Sequence, residues 1–131
     1  MSRPIFILLI LLITAAAAAF RLPDLAERPM HGDEAVNAVK LGETIEGRGY
    51  EYDPHEYHGP TLNYLTLIPA WIGGDGSYAG LSEFILRVVP VFFGTLLVLL
   101  LLPIGDGLGR VASIFAALFM AVSPAMVFYS R

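Results

Sequence analysis

Apolar residues without a single charge fill three stretches of the chain, residues 4–20, 88–105 and 111–130, and polar residues crowd the interval between the first two. Segments of roughly 17–25 apolar residues suit a helix that crosses a bilayer. None of the three shows the polar stripe that a helix on the surface of a soluble core needs. The pattern therefore predicts an all-α membrane protein with three transmembrane helices, near residues 4–21, 84–104 and 110–129, joined by a long loop over 22–83 and a short link, "GDGLGR". Arg3, Arg21, Arg87, Arg110 and Arg131 stand at the edges of these stretches, where long basic side chains reach toward headgroups.

Within the long loop the periodicity predicts short helices. "GDEAVNAVKLGETIEGRG" reads as an amphipathic helix, with Asp33 as N-cap, Glu34 in the first turn, and Val36, Val39, Ala35 and Leu41 toward one face. "YEYDPHEYH" has no helical period. "GPTLNYLTLIPAWIGG" opens with Pro60 at a favourable first-turn position, carries Pro69 as an expected kink, and stops at Gly73-Gly74. Its aromatic and aliphatic content suits a helix lying in the membrane interface. Ser82 and Glu83 are placed to cap the following helix, and Pro90 to bend it.

Composition sharpens this picture. Hydrophobic residues make up 56% of the 131 and charged residues 15%, against about 25% charged in typical soluble domains. Eleven of the twelve acids and five of the eight Lys/Arg residues fall within 21–87. With Arg3 before the first helix and Arg110 in the short link, the positive-inside rule favours a cytoplasmic N-terminus and an external loop. The start, "MSRPIFILLILLITAAAAAF", also has the layout of a secretory signal; either reading sends the loop out of the cytoplasm. A net charge of −4 speaks against nucleic acid as a partner. The absence of cysteine excludes disulfides and thiolate metal sites.

The candidate chemistry gathers in the loop. Asp33 and Glu34 are adjacent near a helix start, and successive helical residues diverge by about 100°, so the two acids serve different purposes. One carboxylate suits capping; the other suits a general base that takes the proton of an attacking hydroxyl or amide. Carboxylates are the usual groups in glycosyl chemistry. In a membrane enzyme the leaving group would be a lipid phosphate, which calls for nearby cations; His31, Lys40, His58, Arg87 and Arg131 are the candidates.

The run "RPMHGDEAVNAVKLGETIEGRGYEYDPHEYHGPTLNY" resembles the first external loop of the GT-C superfamily of membrane glycosyltransferases. Within that superfamily it is most similar to the group related to dolichyl-phosphate-mannose–protein mannosyltransferases, which includes prokaryotic flippase-activity-associated proteins of archaeal-type N-glycosylation. "LSEFILRVVPVFFGTLLVLLLLPIG" resembles the second membrane helix of the family and "SPAMVFYSR" the end of the third. The resemblance implies a GT-C-like N-terminal module in a prokaryotic cell membrane. It would transfer a sugar from a polyprenyl-phosphate-linked donor to a protein, lipid or glycan acceptor on the external face. It carries the catalytic acid to Asp33, with Glu34 beside it, and the phosphate contact to the turn at His58, where many relatives have lysine. Family members have many more membrane helices and usually a second acidic external loop, so the chain is expected to be the N-terminal part of a longer transferase.

Other readings of the same residues stand beside this one. His31, Asp53, His55, Glu56 and His58 include zinc or manganese ligand types, although the H-x-x-H spacing is not that of a zinc protease helix and Pro54 opposes a continuous helix. Tyr50, Tyr52, Tyr57, Tyr64, Trp71 and Tyr78 suit either an interfacial aromatic belt or a sugar-stacking surface. The whole chain also fits a non-catalytic membrane subunit that assists lipid-linked oligosaccharide handling or flipping.

Overall fold

The computed structural model describes residues 1–55 and 59–130. It is all-helical, with no strand among the described residues. The elements are α1 (Arg3–Arg21), α2 (Gly32–Ile45), α3 (Pro60–Gly73), a 3-10 turn (Tyr78–Gly80), α4 (Glu83–Leu99), α5 (Leu101–Leu108), α6 (Arg110–Val122) and α7 (Pro124–Tyr129). They group into two compact units, one of Met1–Pro23 with Pro90–Arg131, the other of Asp24–Val89.

In the first unit α1 packs against α6. Phe6, Ile10, Ile13 and Ala17 recur at helical spacing along α1 and are buried. They meet a row of small residues on α6, Ser113, Ala117 and Ala121, each four positions from the next and each buried. Small side chains at such a seam let two helix backbones approach closely, the usual solution where lipid removes the hydrophobic drive for packing. Val98 and Leu101 complete the core. Gly105 on α5 lies against the Phe6 ring, in space that any Cβ would occupy.

The break between α4 and α5 is a single residue, Leu100, still near helical geometry. Pro103 explains it: without an N–H it leaves the Leu99 carbonyl unpaired. The combined run Glu83–Leu108 is 26 residues, about 39 Å long at 1.5 Å per residue, and α1 at 19 residues is about 28 Å. These two helices are long and apolar enough to cross a membrane; α6, at 13 residues, is shorter. Leu8, Leu11 and Leu12 of α1 and Phe115, Phe119 and Val122 of α6 face outward.

Two sequence expectations change here. The link "GDGLGR" collapses to one residue, Gly109, whose φ of 87° favours glycine; residues 105–108 belong to α5. Asp106 and Arg110 pair across that turn at 2.9 Å, and Arg110 Nη1 donates to the Met1 carbonyl at 3.0 Å. The helix expected over 110–129 is two helices, because Pro124 starts α7 after Ser123.

Arg21 was expected to reach for headgroups. It is instead wholly buried. Its Nη2 donates to Met120 O at 3.0 Å, its Nη1 to Ala17 O at 3.0 Å and Ala121 O at 3.2 Å, and its Nε to Ser130 Oγ at 2.8 Å. The reason lies in the chain. The last carbonyls of a helix have no intrahelical donor, and Pro124 removes the one that would serve Met120. A guanidinium carries several donors in a rigid fork, and its positive charge suits the C-terminal ends of both α1 and α6. Gly94 lies against Ser130 and Arg21, with no room for a side chain.

In the second unit α2 buries Ala38, Leu41 and Gly42. The Tyr78 ring lies on Gly42, where a Cβ would collide with it. Of the residues expected near one face of α2, Leu41 is buried and Val39 exposed; Val39 lines an open groove with Ala35, Val36, Lys40 and Glu43. α3 presents Asn63, Thr66 and Ala70 inward, with Asn63 Oδ1 3.0 Å from Thr44 Oγ1. Pro69 lies inside α3 without ending it.

Arg21→Met keeps an unbranched apolar stem and removes the guanidinium with its donors. Each carbonyl left buried and unpaired costs about 1–3 kcal/mol, so the thermal midpoint of the detergent-solubilised protein should fall by roughly 4 °C or more. Arg3→Met, at an exposed position, should leave stability within about 0.5 kcal/mol. Equal midpoints for the two variants would remove Arg21 from the role given to it here.

Candidate functional site around Asp33

The segment before α2, "DLAERPMH", has no regular structure of its own and needs donors for its carbonyls. Arg87, one turn into α4 and 3% exposed, supplies them. Its Nη1 donates to the Leu25 carbonyl, and its Nη2 to Arg28 O at 3.0 Å and Pro29 O at 3.5 Å. The same Nη2 pairs with Glu34 Oε2 at 2.9 Å. Arg28 closes on the other oxygen of Glu34, and the His31 main-chain N–H donates to Glu34 Oε2 at 3.0 Å.

Glu34 is thus the structural member of the acid pair. It is the third residue of α2 and one half of a capping box, which ties back the N-cap backbone. Partial burial pushes its carboxyl up. The hydrogen bonds from Arg87 and from the His31 N–H, with the charges of Arg87 and Arg28, outweigh that effect and hold it below the usual glutamate value.

The N-cap is His31, two residues earlier than the expected Asp33. The imidazole Nδ1 accepts from the Asp33 N–H at 3.4 Å, a role open only to a nitrogen that carries no proton. Asp33 is therefore free of capping duty. Its side chain is 78% exposed, and its carboxylate has His31 Nδ1 as a neighbour at 3.8 Å. The outcome is one clamped carboxylate and one accessible carboxylate, both on a rigid helix start.

Other candidates fall differently. Arg87, a candidate phosphate contact, has its guanidinium on Leu25, Arg28, Pro29 and Glu34, where it positions the segment leading into α2. Lys40 lies in the groove on the outer face of α2. Asp53 Oδ1 accepts from the His55 N–H at 2.8 Å, a local turn. Glu56, Tyr57, His58 and Arg131 lie outside the described residues. Among the described residues no group of three or more His, Asp or Glu side chains is placed to share a metal ion. Tyr50 and Tyr64 form a tilted ring pair with centroids 6.2 Å apart, whereas Tyr78 packs on Gly42.

Arg28 was missed from the sequence. It lies six residues before Glu34, outside any helix, and no periodicity connects the two. His31 carried a signal: three residues ahead of a glutamate, it has the spacing of a capping box.

No protein-family model, curated protein or solved structure matches the chain.

The ionised form of Glu34 stabilises the fold, because its folded-state value lies below its unfolded one. That contribution is complete above the ordinary value of 4.5 and is lost as pH falls through the lower folded-state value. Glu34→Gln keeps the capping geometry but leaves Arg87 buried without its anion. We expect a loss of about 1–3 kcal/mol at neutral pH and a shallower acid limb in the stability curve. An acid limb identical to that of the parent protein would show that Glu34 does not carry this linkage.

Proposed function

We propose that this chain is a module of a GT-C-type membrane glycosyltransferase, with Asp33 as general base. The observation that supports it is the division of labour in the acid pair: Glu34 is held by Arg28, Arg87 and the His31 N–H, while the Asp33 carboxylate projects from the same helix turn into the open. A base must be accessible and must be held by its scaffold.

In this reading an acceptor hydroxyl or amide lies against Asp33, which takes its proton as the acceptor atom attacks the anomeric carbon. The bond from that carbon to the phosphate oxygen breaks, and polyprenyl phosphate leaves as an anion. Cations for it come from outside the Arg87 cluster. His58 precedes the N-terminus of α3, which has no side-chain cap and directs free N–H groups forward; Arg131 and Lys40 are further candidates. Arg87 acts on Asp33 indirectly, by holding the segment that leads into α2.

The proposed topology has three membrane crossings, α1, α4–α5 and α6–α7, with 22–83 external. Its support is that the two ends of the first unit are chemically distinct. Arg110, Asp106 and the Met1 carbonyl meet at one end, and Arg21 and Ser130 at the other. Arg3 and Arg110 flank the first of these ends, and the positive-inside rule favours the cytoplasm for it.

Asp33→Asn in an enzyme that contains this segment should lower sugar transfer about 10²–10⁴-fold. Its melting should be unchanged, since His31 caps through the Asp33 main-chain N–H. Near-normal turnover would return the chain to a non-catalytic role in handling lipid-linked sugars. Topology has its own measurement. Cysteines placed singly at Glu51 and Gly107, both open to substitution, should react with an impermeant maleimide on intact cells at Glu51→Cys and not at Gly107→Cys. The reverse pattern would invert the orientation.

A further inference from the structure

α3 is built inside out. Its fourteen residues, "PTLNYLTLIPAWIG", carry no charge. At about 100° per residue, Asn63, Thr66 and Ala70 share one narrow face, and that face is the buried one. Tyr64, Ile68, Trp71 and Ile72 share the opposite face, and all four are exposed, Trp71 by 74% and Ile72 by 82%. A helix on the surface of a water-soluble core has the reverse arrangement. Here the polar side chains turn toward α2, where Asn63 meets Thr44, and the aliphatic and indole groups turn away from it.

The place of this face in the fold says what covers it. The last residue of α3, Gly73, lies beside the Ile85 side chain, with the Ile85 Cδ1 3.9 Å from where a Cβ would stand. Ile85 belongs to the first turn of the run Glu83–Leu108, which is long and apolar enough to cross a membrane. Trp71 and Ile72, the two residues before Gly73, therefore stand level with the first turn of that run, on the side of α3 turned away from the buried face. Only nine residues, 74–82, separate the two helices. Tryptophan and tyrosine favour the interface of a bilayer, with the ring in the acyl boundary and the polar edge among headgroups.

We propose that the Tyr64–Ile68–Trp71–Ile72 face of α3 is a lipid-binding surface. It is seated in the boundary between headgroups and acyl chains, about 5–10 Å into the leaflet, with Trp71 setting the depth. This goes beyond sugar transfer and rests only on the membrane-crossing reading of Glu83–Leu108.

Trp71 is the only tryptophan in the chain and there is no cysteine, so the unmodified full chain carries its own probe. Reconstituted in phosphatidylcholine vesicles, it should show blue-shifted emission. It should lose most of that emission when the lipid carries bromine near the top of its acyl chains, and less when the bromine lies deep. Aqueous iodide should have little effect. A spin label at Ile72→Cys should collide more with dissolved oxygen than with a water-soluble nickel chelate, and a label at Glu51→Cys the reverse. Strong quenching by iodide would overturn the proposal, placing the face in water. Insensitivity to both bromine and iodide would also overturn it, placing the face against protein. Alkaline carbonate extraction of the same vesicles separates the two levels of failure. A chain that stays in the membrane with Trp71 unquenched by lipid refutes the lipid seat alone; a chain that is extracted refutes the membrane-crossing reading as well.

Discussion

Arg87 is the residue on which the second unit turns. A side chain with five donors and no acceptor is difficult to bury, and at 3% exposure it is buried here. It is satisfied by the carbonyls of Leu25, Arg28 and Pro29 and by one oxygen of Glu34. An irregular segment that would otherwise leave its carbonyls to water is thereby attached to the start of α4. The path of residues 25–31 sets where His31 caps, and so where Asp33 stands. Take away the guanidinium and the segment keeps only its Glu27 N–H to Asp24 O turn and the Arg28–Glu34 pair, and the carbonyls of Leu25, Arg28 and Pro29 lose their donor.

The first unit repeats the device with different parts. Arg21 closes the C-terminal ends of α1 and α6 and reaches Ser130. In both units an arginine at the edge of an apolar stretch turns inward to serve main-chain carbonyls. The common cause is physical. Where helices end or prolines interrupt them in apolar surroundings, the exposed carbonyls need donors, and a guanidinium supplies several at once from a long, adaptable stem.

This also shows where sequence reasoning stopped. The helices over 3–21, 32–45 and 60–73 were readable: the first from its charge-free apolar run, the other two from local signals, Pro60 at one start and Gly47, Gly49 and Gly73-Gly74 at their ends. The inner face of α2 was not. Its buried positions are the small residues Ala38 and Gly42 around Leu41, the Tyr78 ring lies on Gly42, and hydrophobicity ranks Val36 and Val39 above both small residues. Capping preference alone points two residues too far along, to Asp33, because aspartate is the stronger capping type, while the pairing of His31 with Glu34 carries the geometry. The unpaired carbonyl of Met120 could be inferred from Pro124. Its partner, Arg21, lies 99 residues away, a distance across which no local pattern reaches. Of the candidate site, the acid pair was visible and its separation into a clamped and an accessible member was not, since Arg28 and Arg87 meet Glu34 only through the fold.

The one-residue turn at Gly109 has a consequence for how this chain tolerates change. With α5 ending at Leu108 and α6 beginning at Arg110, there is no slack to absorb a codon gained or lost. One inserted residue near the turn would advance α6 by about 1.5 Å and rotate it by about 100°, swinging Ser113, Ala117 and Ala121 away from α1 and bringing bulky neighbours into the seam. Side chains on the outward faces of these helices can drift among apolar types with little penalty. The number of residues between Pro103 and Ser113 cannot, so along this part of the chain the spacing, more than the side chains, holds the seam in register.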